Sequence, residues 1–177
     1  MQFAPRTYYV TVASEPGRGT TFTVKLPVSR ELGKTPSAVQ RGKARRGRLL
    51  LIDDEPLMLR SMMRTLGAAH DVSIASGADE GLALVEQGDF DVIFCDVMMP
   101  QRTGIDFYEQ LDRDHPELSD RVVFISGEAF TERARDFLAR VENTTLNKPF
   151  DAAAILGLVQ ERLRDRTGNH AAALEYP

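Results

Sequence analysis

Four short apolar runs each end in a polar residue able to do chemistry, and their spacing limits what this chain can fold into. Arg48-Leu49-Leu50-Leu51-Ile52 leads into Asp53-Asp54-Glu55, and Asp91-Val92-Ile93-Phe94-Cys95 leads into Asp96. Arg121-Val122-Val123-Phe124-Ile125 leads into Ser126, and Thr144-Thr145-Leu146-Asn147 leads into Lys148-Pro149. Near-continuous apolar runs of this length suit strands buried on both faces. In an open α/β sheet of parallel strands, ligand chemistry gathers at the carboxyl ends. If these runs are neighbouring parallel strands, three carboxylates, a hydroxyl and an ammonium converge on one small spot.

Helical patterns fill the intervals. A helix is expected from Pro56, a favoured first-turn residue, through Leu57, Leu59, Met62, Met63 and Leu66 to Gly67. Val72 to Ala75 make a short strand, and Ala78 to Glu86 a helix stopped at Gly88. Further helices are expected around Ile105 to Leu111, from Thr131 to Val141, and after Asp151, which can cap a helix carrying Ile155, Leu158, Val159 and Leu163. Five strands alternating with five helices imply an α/β fold whose parallel sheet is covered on both faces.

Ahead of this stretch, residues 1–28 alternate as a β-hairpin: Tyr8-Tyr9-Val10-Thr11-Val12 and Thr21-Phe22-Thr23-Val24-Lys25-Leu26 flank the turn Glu15-Pro16-Gly17-Arg18-Gly19. An isolated hairpin is marginal in water, so it should pair with another sheet or another chain. Residues 29–47 are polar and basic, with Gly33, Pro36, Gly42 and Gly47 and no apolar face. From 29 to 48 there are seven Lys or Arg against one Glu; from 49 to 177 there are twelve basic against twenty-four acidic residues. A basic stretch can contact nucleic acid, but this one lacks aromatic residues and hydrophobic period, so it reads as a solvated linker. No apolar run approaches the length of a transmembrane helix, and the N-terminus lacks the shape of a signal peptide. The single cysteine, Cys95, sits in an apolar run as a small buried hydrophobe and fits a reducing, cytoplasmic compartment.

The expected cluster suits phosphoryl chemistry. An aspartate can be a nucleophile that forms an acyl phosphate. Carboxylate and phosphoryl oxygens repel, so a cation must lie between them; Mg²⁺ takes oxygen ligands and commonly uses one or two carboxylates with phosphate and water. Asp53, Asp54 and Asp96 could supply those oxygens, Lys148 a point charge, and Ser126 a hydrogen bond. Singly, each element is commonplace: acidic pairs and serines cap helices, and Lys-Pro occurs in loops. Their conjunction at four strand ends is specific.

Leu51-Ile52-Asp53-Asp54-Glu55-Pro56, Cys95-Asp96-Val97-Met98-Met99-Pro100 with Gly104, Ile125-Ser126-Gly127 and Asn147-Lys148-Pro149-Phe150 resemble the receiver domain of two-component response regulators and hybrid histidine kinases. The resemblance covers residues 48–166. It implies a flavodoxin-like, doubly wound sheet of order 2-1-3-4-5 with Asp96 as phosphoacceptor. It also implies Mg²⁺ held by Asp54, Asp96 and the backbone carbonyl of Met98, with Asp53 acting largely through water. Ser126 takes the family's hydroxyl position and Lys148 its phosphate-pairing lysine, with a cis Lys148–Pro149 bond. Thr145 departs from the pattern, since many receivers carry an aromatic residue there that moves on phosphorylation. Met98 and Glu128 stand where side chains flank the path of hydrolytic water.

Val12 through Pro27 resembles the last hairpin of a histidine kinase ATP-binding domain, without that family's nucleotide-binding boxes. The expected identity is therefore the C-terminal part of a hybrid sensor kinase that neither binds ATP nor phosphorylates itself. Its phosphoryl donor would be a histidine on a transmitter or phosphotransfer domain, and dimerisation through the hairpin is open. His70, His115 and His170 are expected at the surface, and residues 167–177 form a tail without assigned function. Competing readings are a phosphorylation-independent interaction module, which the complete acidic pocket opposes, and a DNA-binding regulator, for which too few residues follow position 166. A haloacid-dehalogenase-type enzyme would want an aspartate where Met98 stands.

Overall fold

A computed structural model of the protein describes residues 9–25, 45–127 and 131–172. Most of the expected linker, and Glu128, lie outside the described residues. The chain divides into two compact units, residues 1–43 and 44–177.

In the first unit, β1 (Tyr9–Glu15) pairs antiparallel with β2 (Gly19–Lys25), so that Val12 stands opposite Phe22 and Thr11 opposite Thr23. The reversal uses Gly17 (φ 79°) and Gly19 (φ 96°), conformations that side-chain-bearing residues rarely adopt. Cross-strand pairing and the period of two place Val12, Phe22 and Val24 on one face, where they are 57%, 68% and 57% exposed.

The second unit is a parallel sheet of five strands in the order β4-β3-β5-β6-β7, comprising β3 (Arg48–Ile52), β4 (Asp71–Ala75), β5 (Val92–Asp96), β6 (Val122–Ser126) and β7 (Thr145–Asn147). Counted from Arg48 this is the expected order 2-1-3-4-5. Alternate residues of each run feed opposite cores. Leu50, Ile52, Ile93, Cys95, Val122 and Phe124 pack beneath α2 (Ala78–Val85), α3 (Gly104–Asp114) and α5 (Glu132–Leu138). Leu49, Leu51, Val92, Phe94, Val123 and Ile125 pack beneath α1 (Pro56–Leu66) and α6 (Ala152–Ala172). The three central strands β3, β5 and β6 read as continuous apolar runs because neither of their faces meets water, whereas the edge strands β4 and β7 are partly exposed.

The helices start where the sequence marks them. Pro56 opens α1. Thr103 and Asp106 form a reciprocal capping box at α3. The Thr131 hydroxyl accepts from the Ala134 amide at α5, and Asp151 Oδ1 accepts from the Ala154 amide at α6. Three points differ from expectation. A one-turn helix, α4 (Pro116–Ser119), adds a sixth helix among the described residues; Pro116 sets its first residue, but a single turn has no hydrophobic period to reveal it. The last helix runs on to Ala172, past residue 166. His70 is buried rather than exposed, because its Nδ1 accepts the Gly47 amide at 3.2 Å where the chain enters β3.

Candidate functional site

The strand order reverses between β3 and β5, and the acidic residues stand on either side of that crevice. Asp53 follows β3 and Asp96 ends β5. One carboxylate oxygen from each of Asp53, Asp54 and Asp96 lies within 4.8 Å of the others. Asp53 and Asp96 are buried, whereas Asp54 is exposed. Lys148 arrives from the end of β7, and its peptide bond to Pro149 is cis. Its Nζ donates to Asp53 Oδ2 at 3.1 Å and to Asp96 Oδ2 at 2.6 Å, so one ammonium bridges two carboxylates brought together by strand packing.

Backbone amides fix the remaining carboxylate oxygens. The Glu55 amide donates to Asp53 Oδ1 at 2.8 Å and the Met98 amide to Asp96 Oδ1 at 3.0 Å. The loop after Asp96 is itself tied down, since the Val97 amide donates to Ile125 O at 3.0 Å and the Gly104 amide to Val97 O at 3.1 Å. A side chain at Gly104 would meet the backbone carbonyl of Asp96, and its Cβ would lie 3.0 Å from Cys95 Sγ. Gly104 is therefore required by the closeness of α3 to the acidic strand end.

Burial raises the Asp53 pKa above the ordinary carboxylate value, against the opposing Glu55 amide and the Lys148 ammonium. For Lys148, burial disfavours the charge, but hydrogen bonds to Asp96 and Asp53 and the charges of both outweigh it and lift the pKa above the usual lysine value. Three carboxylates against one ammonium leave the pocket short of positive charge. Hard oxygen donors this close together, with Asp54 in contact with water, fit a hard divalent cation.

Ser126 ends β6 and is fully buried. Its hydroxyl donates to Asn147 Oδ1 at 3.4 Å, and its carbonyl accepts from the Lys148 amide at 2.6 Å. The structure thus bonds Lys148 to Asp53 and Asp96 and brings Asp54 beside them, while the Ser126 hydroxyl bonds to Asn147 at the end of β7. Asn147 carries no chemical signal in the sequence; it faces Ser126 only because of the β6–β7 register. Thr145 lies opposite Phe124, half-buried. The aromatic residues nearby form a separate cluster, Tyr108, Phe124 and Phe137, with ring centroids 5.3–5.5 Å apart.

Residues 49–160 match the response regulator receiver domain family. Sensor kinase CckA of Brucella abortus (strain 2308) is 29% identical over 163 residues, which covers 85% of this chain and 17% of that protein. Aerobic respiration control sensor protein ArcB of Escherichia coli (strain K12) is 25% identical over 158 residues, 86% of this chain and 20% of that protein. The chain therefore spans about a fifth or less of the length of these two relatives. Among solved structures, a CheY-like response regulator receiver domain protein from Methanospirillum hungatei JF-1 superposes with a TM-score of 0.62 at 25% identity, over 71% of this chain and 99% of that one. Among the described residues, no helix is long and apolar enough to cross a membrane.

Proposed function

This chain belongs to the response regulator receiver domain family, and from that premise we propose that it accepts a phosphoryl group on Asp96 from a phosphohistidine, within a cytoplasmic hybrid sensor kinase. The observation that carries this reading is the Lys148 ammonium lying between the Asp53 and Asp96 carboxylates at the switch point of the sheet.

In the reaction, an Asp96 carboxylate oxygen attacks phosphorus. A P–O bond forms, the P–N bond to the donor imidazole breaks, and the imidazole leaves with a proton as neutral histidine. The Met98 amide holds the Asp96 carboxylate in one orientation. Lys148 remains charged and pairs with a phosphoryl oxygen once Asp96 has reacted. Ser126 donates a hydrogen bond to another phosphoryl oxygen. Asp54, Asp96 and the Met98 backbone carbonyl would hold Mg²⁺, with Asp53 acting largely through water, and the bound ion would supply positive charge to offset repulsion between carboxylate and phosphoryl oxygens. The added charge then switches a partner-binding face.

The rest of the chain fits a longer parent. The alignment with sensor kinase CckA covers 85% of the chain, more than residues 44–177 can supply, so the similarity extends into the hairpin unit. Residues 1–28 are read as the last hairpin of a kinase ATP-binding domain, 29–47 as a flexible linker, 48–166 as the receiver and 167–177 as a tail. The partners are a histidine-bearing transmitter or phosphotransfer domain and, through the hairpin, a second copy. Neither nucleic acid nor membrane has a place in this part of the molecule.

Intact mass after incubation with Mg²⁺ and acetyl phosphate tests the reading. A single phosphate adduct that requires Mg²⁺ and is lost in Asp96→Asn is expected. A folded protein that takes no adduct would instead be a phosphorylation-independent interaction module.

A further inference from the structure

Ser126 is fully buried, so its hydroxyl must have a partner within the protein. Among the described residues every buried side-chain nitrogen and oxygen has one, and for this hydroxyl it is Asn147 Oδ1 at 3.4 Å. A hydroxyl has one proton to donate. It cannot serve Asn147 and a phosphoryl oxygen on Asp96 at the same time.

We propose that Asn147 is a positioning residue: it holds the Ser126 hydroxyl away from the pocket at rest, and thereby sets how readily the pocket retains a phosphoryl group. The inference rests on the reading of Asp96 as phosphoacceptor and deepens it. Ser126 and Asn147 are register partners across β6 and β7, and the Lys148 amide grips Ser126 O at 2.6 Å, so the two backbones stay fixed to each other. The exchange of partners is therefore made by side-chain rotation. Asn147 is exposed, so once released its amide turns to water without leaving a buried group unpaired. Thr145 and Asn147 share one face of β7, and their register partners Phe124 and Ser126 share one face of β6. The released amide thus lies one position along from the Phe124–Thr145 pair, against which Phe137 of α5 packs. This gives the switch an outlet at β7 that needs no aromatic residue at position 145.

The test is the affinity of the full chain for beryllofluoride, a phosphoryl mimic, in the presence of Mg²⁺, by calorimetric titration. Asn147→Ala removes the competing acceptor and should tighten binding roughly two- to threefold, the low end of a hydrogen bond's worth, because 3.4 Å is long for a hydroxyl donor. In a Ser126→Ala background the same substitution should change nothing. Equal affinity of Asn147→Ala and wild type, or the same change in both backgrounds, would overturn the inference. A second readout does not depend on the Asn147→Ala variant folding. The Asn147 side-chain amide resonance should shift on beryllofluoride addition in the wild type and stay still in Ser126→Ala; an unmoved resonance in the wild type would also overturn it. If the wild type binds no beryllofluoride and takes no phosphoryl group, the phosphoacceptor reading falls and this inference with it. Wild-type binding with no effect of Asn147 removes the inference alone.

Discussion

One ammonium balances two buried carboxylates in this site, and the third, Asp54, meets water. Lys148 is thus the resting counter-ion of the site and, on the proposed function, the group that pairs with an incoming phosphoryl oxygen. The tolerance of the site is set nearby by Gly104, where any side chain would press on the Asp96 carbonyl and on Cys95. Backbone cannot swing aside as a side-chain tip can, so Gly104→Ala should shift the Asp96 strand end. Overpacking of this kind costs about 1–3 kcal/mol. Urea denaturation should show that loss, and the rate of phosphate uptake from acetyl phosphate should fall with it. A variant of wild-type stability and rate would show that the loop has room that the structure does not display.

At the scale of elements, the sheet is anchored at its opposite end by a polar junction where the chain enters β3. Asp91 is buried and accepts from the Arg48 amide at 2.8 Å and from Arg45 at 3.1 Å, with Arg166 of α6 at 3.6 Å. His70, just ahead of β4, accepts the Gly47 amide at Nδ1. Burial and then the nearby Arg46 charge lower its pKa from 6.5, outweighing the opposing charges of Asp71 and Asp91. The folded state therefore resists protonating His70, whereas the unfolded chain takes the proton near its ordinary value. Stability contributed here is present above about pH 6.5 and lost as pH falls from there toward the lowered folded value, at about 1.4 kcal/mol per unit of separation. His70→Asn keeps an acceptor near Nδ1 without a titrating ring. Its unfolding midpoint should fall less than that of the wild type between pH 7.5 and 5.5; parallel profiles would place the acid sensitivity elsewhere.

Across the whole molecule, the two units obey different stability rules. Residues 44–177 hold two apolar cores, one on each face of the sheet, and fully bury Phe94, Phe107 and Phe124. The hairpin has a single strand pair, and Val12, Phe22 and Val24 are more than half exposed. A two-stranded ribbon with an uncovered apolar face gains little by folding alone and invites a second sheet. If the hairpin serves as a dimer contact, sedimentation equilibrium of the full chain at high concentration should give twice the mass of one chain, and a chain starting at residue 45 should give one. A monomeric full chain would overturn the dimer contact.

Apart from the one-turn α4, the element types and the chemistry at their ends were legible in local sequence patterns. Burial on both faces needs continuous apolar runs, helices need their period and caps, and both are local patterns; so Asp53, Asp96, Ser126 and Lys148 could be placed at strand ends before any coordinates. The tertiary structure alone decided who touches whom. The Lys148 bridge spans 95 residues to Asp53 and 52 to Asp96. It exists because β3 and β5 are neighbours and β7 lies two strands from β5. The Ser126–Asn147 bond follows from a strand register that a shift of one residue would abolish. The burial of His70 was hidden for the same reason: its partner is a backbone amide 23 residues earlier, and no local pattern records so distant a contact.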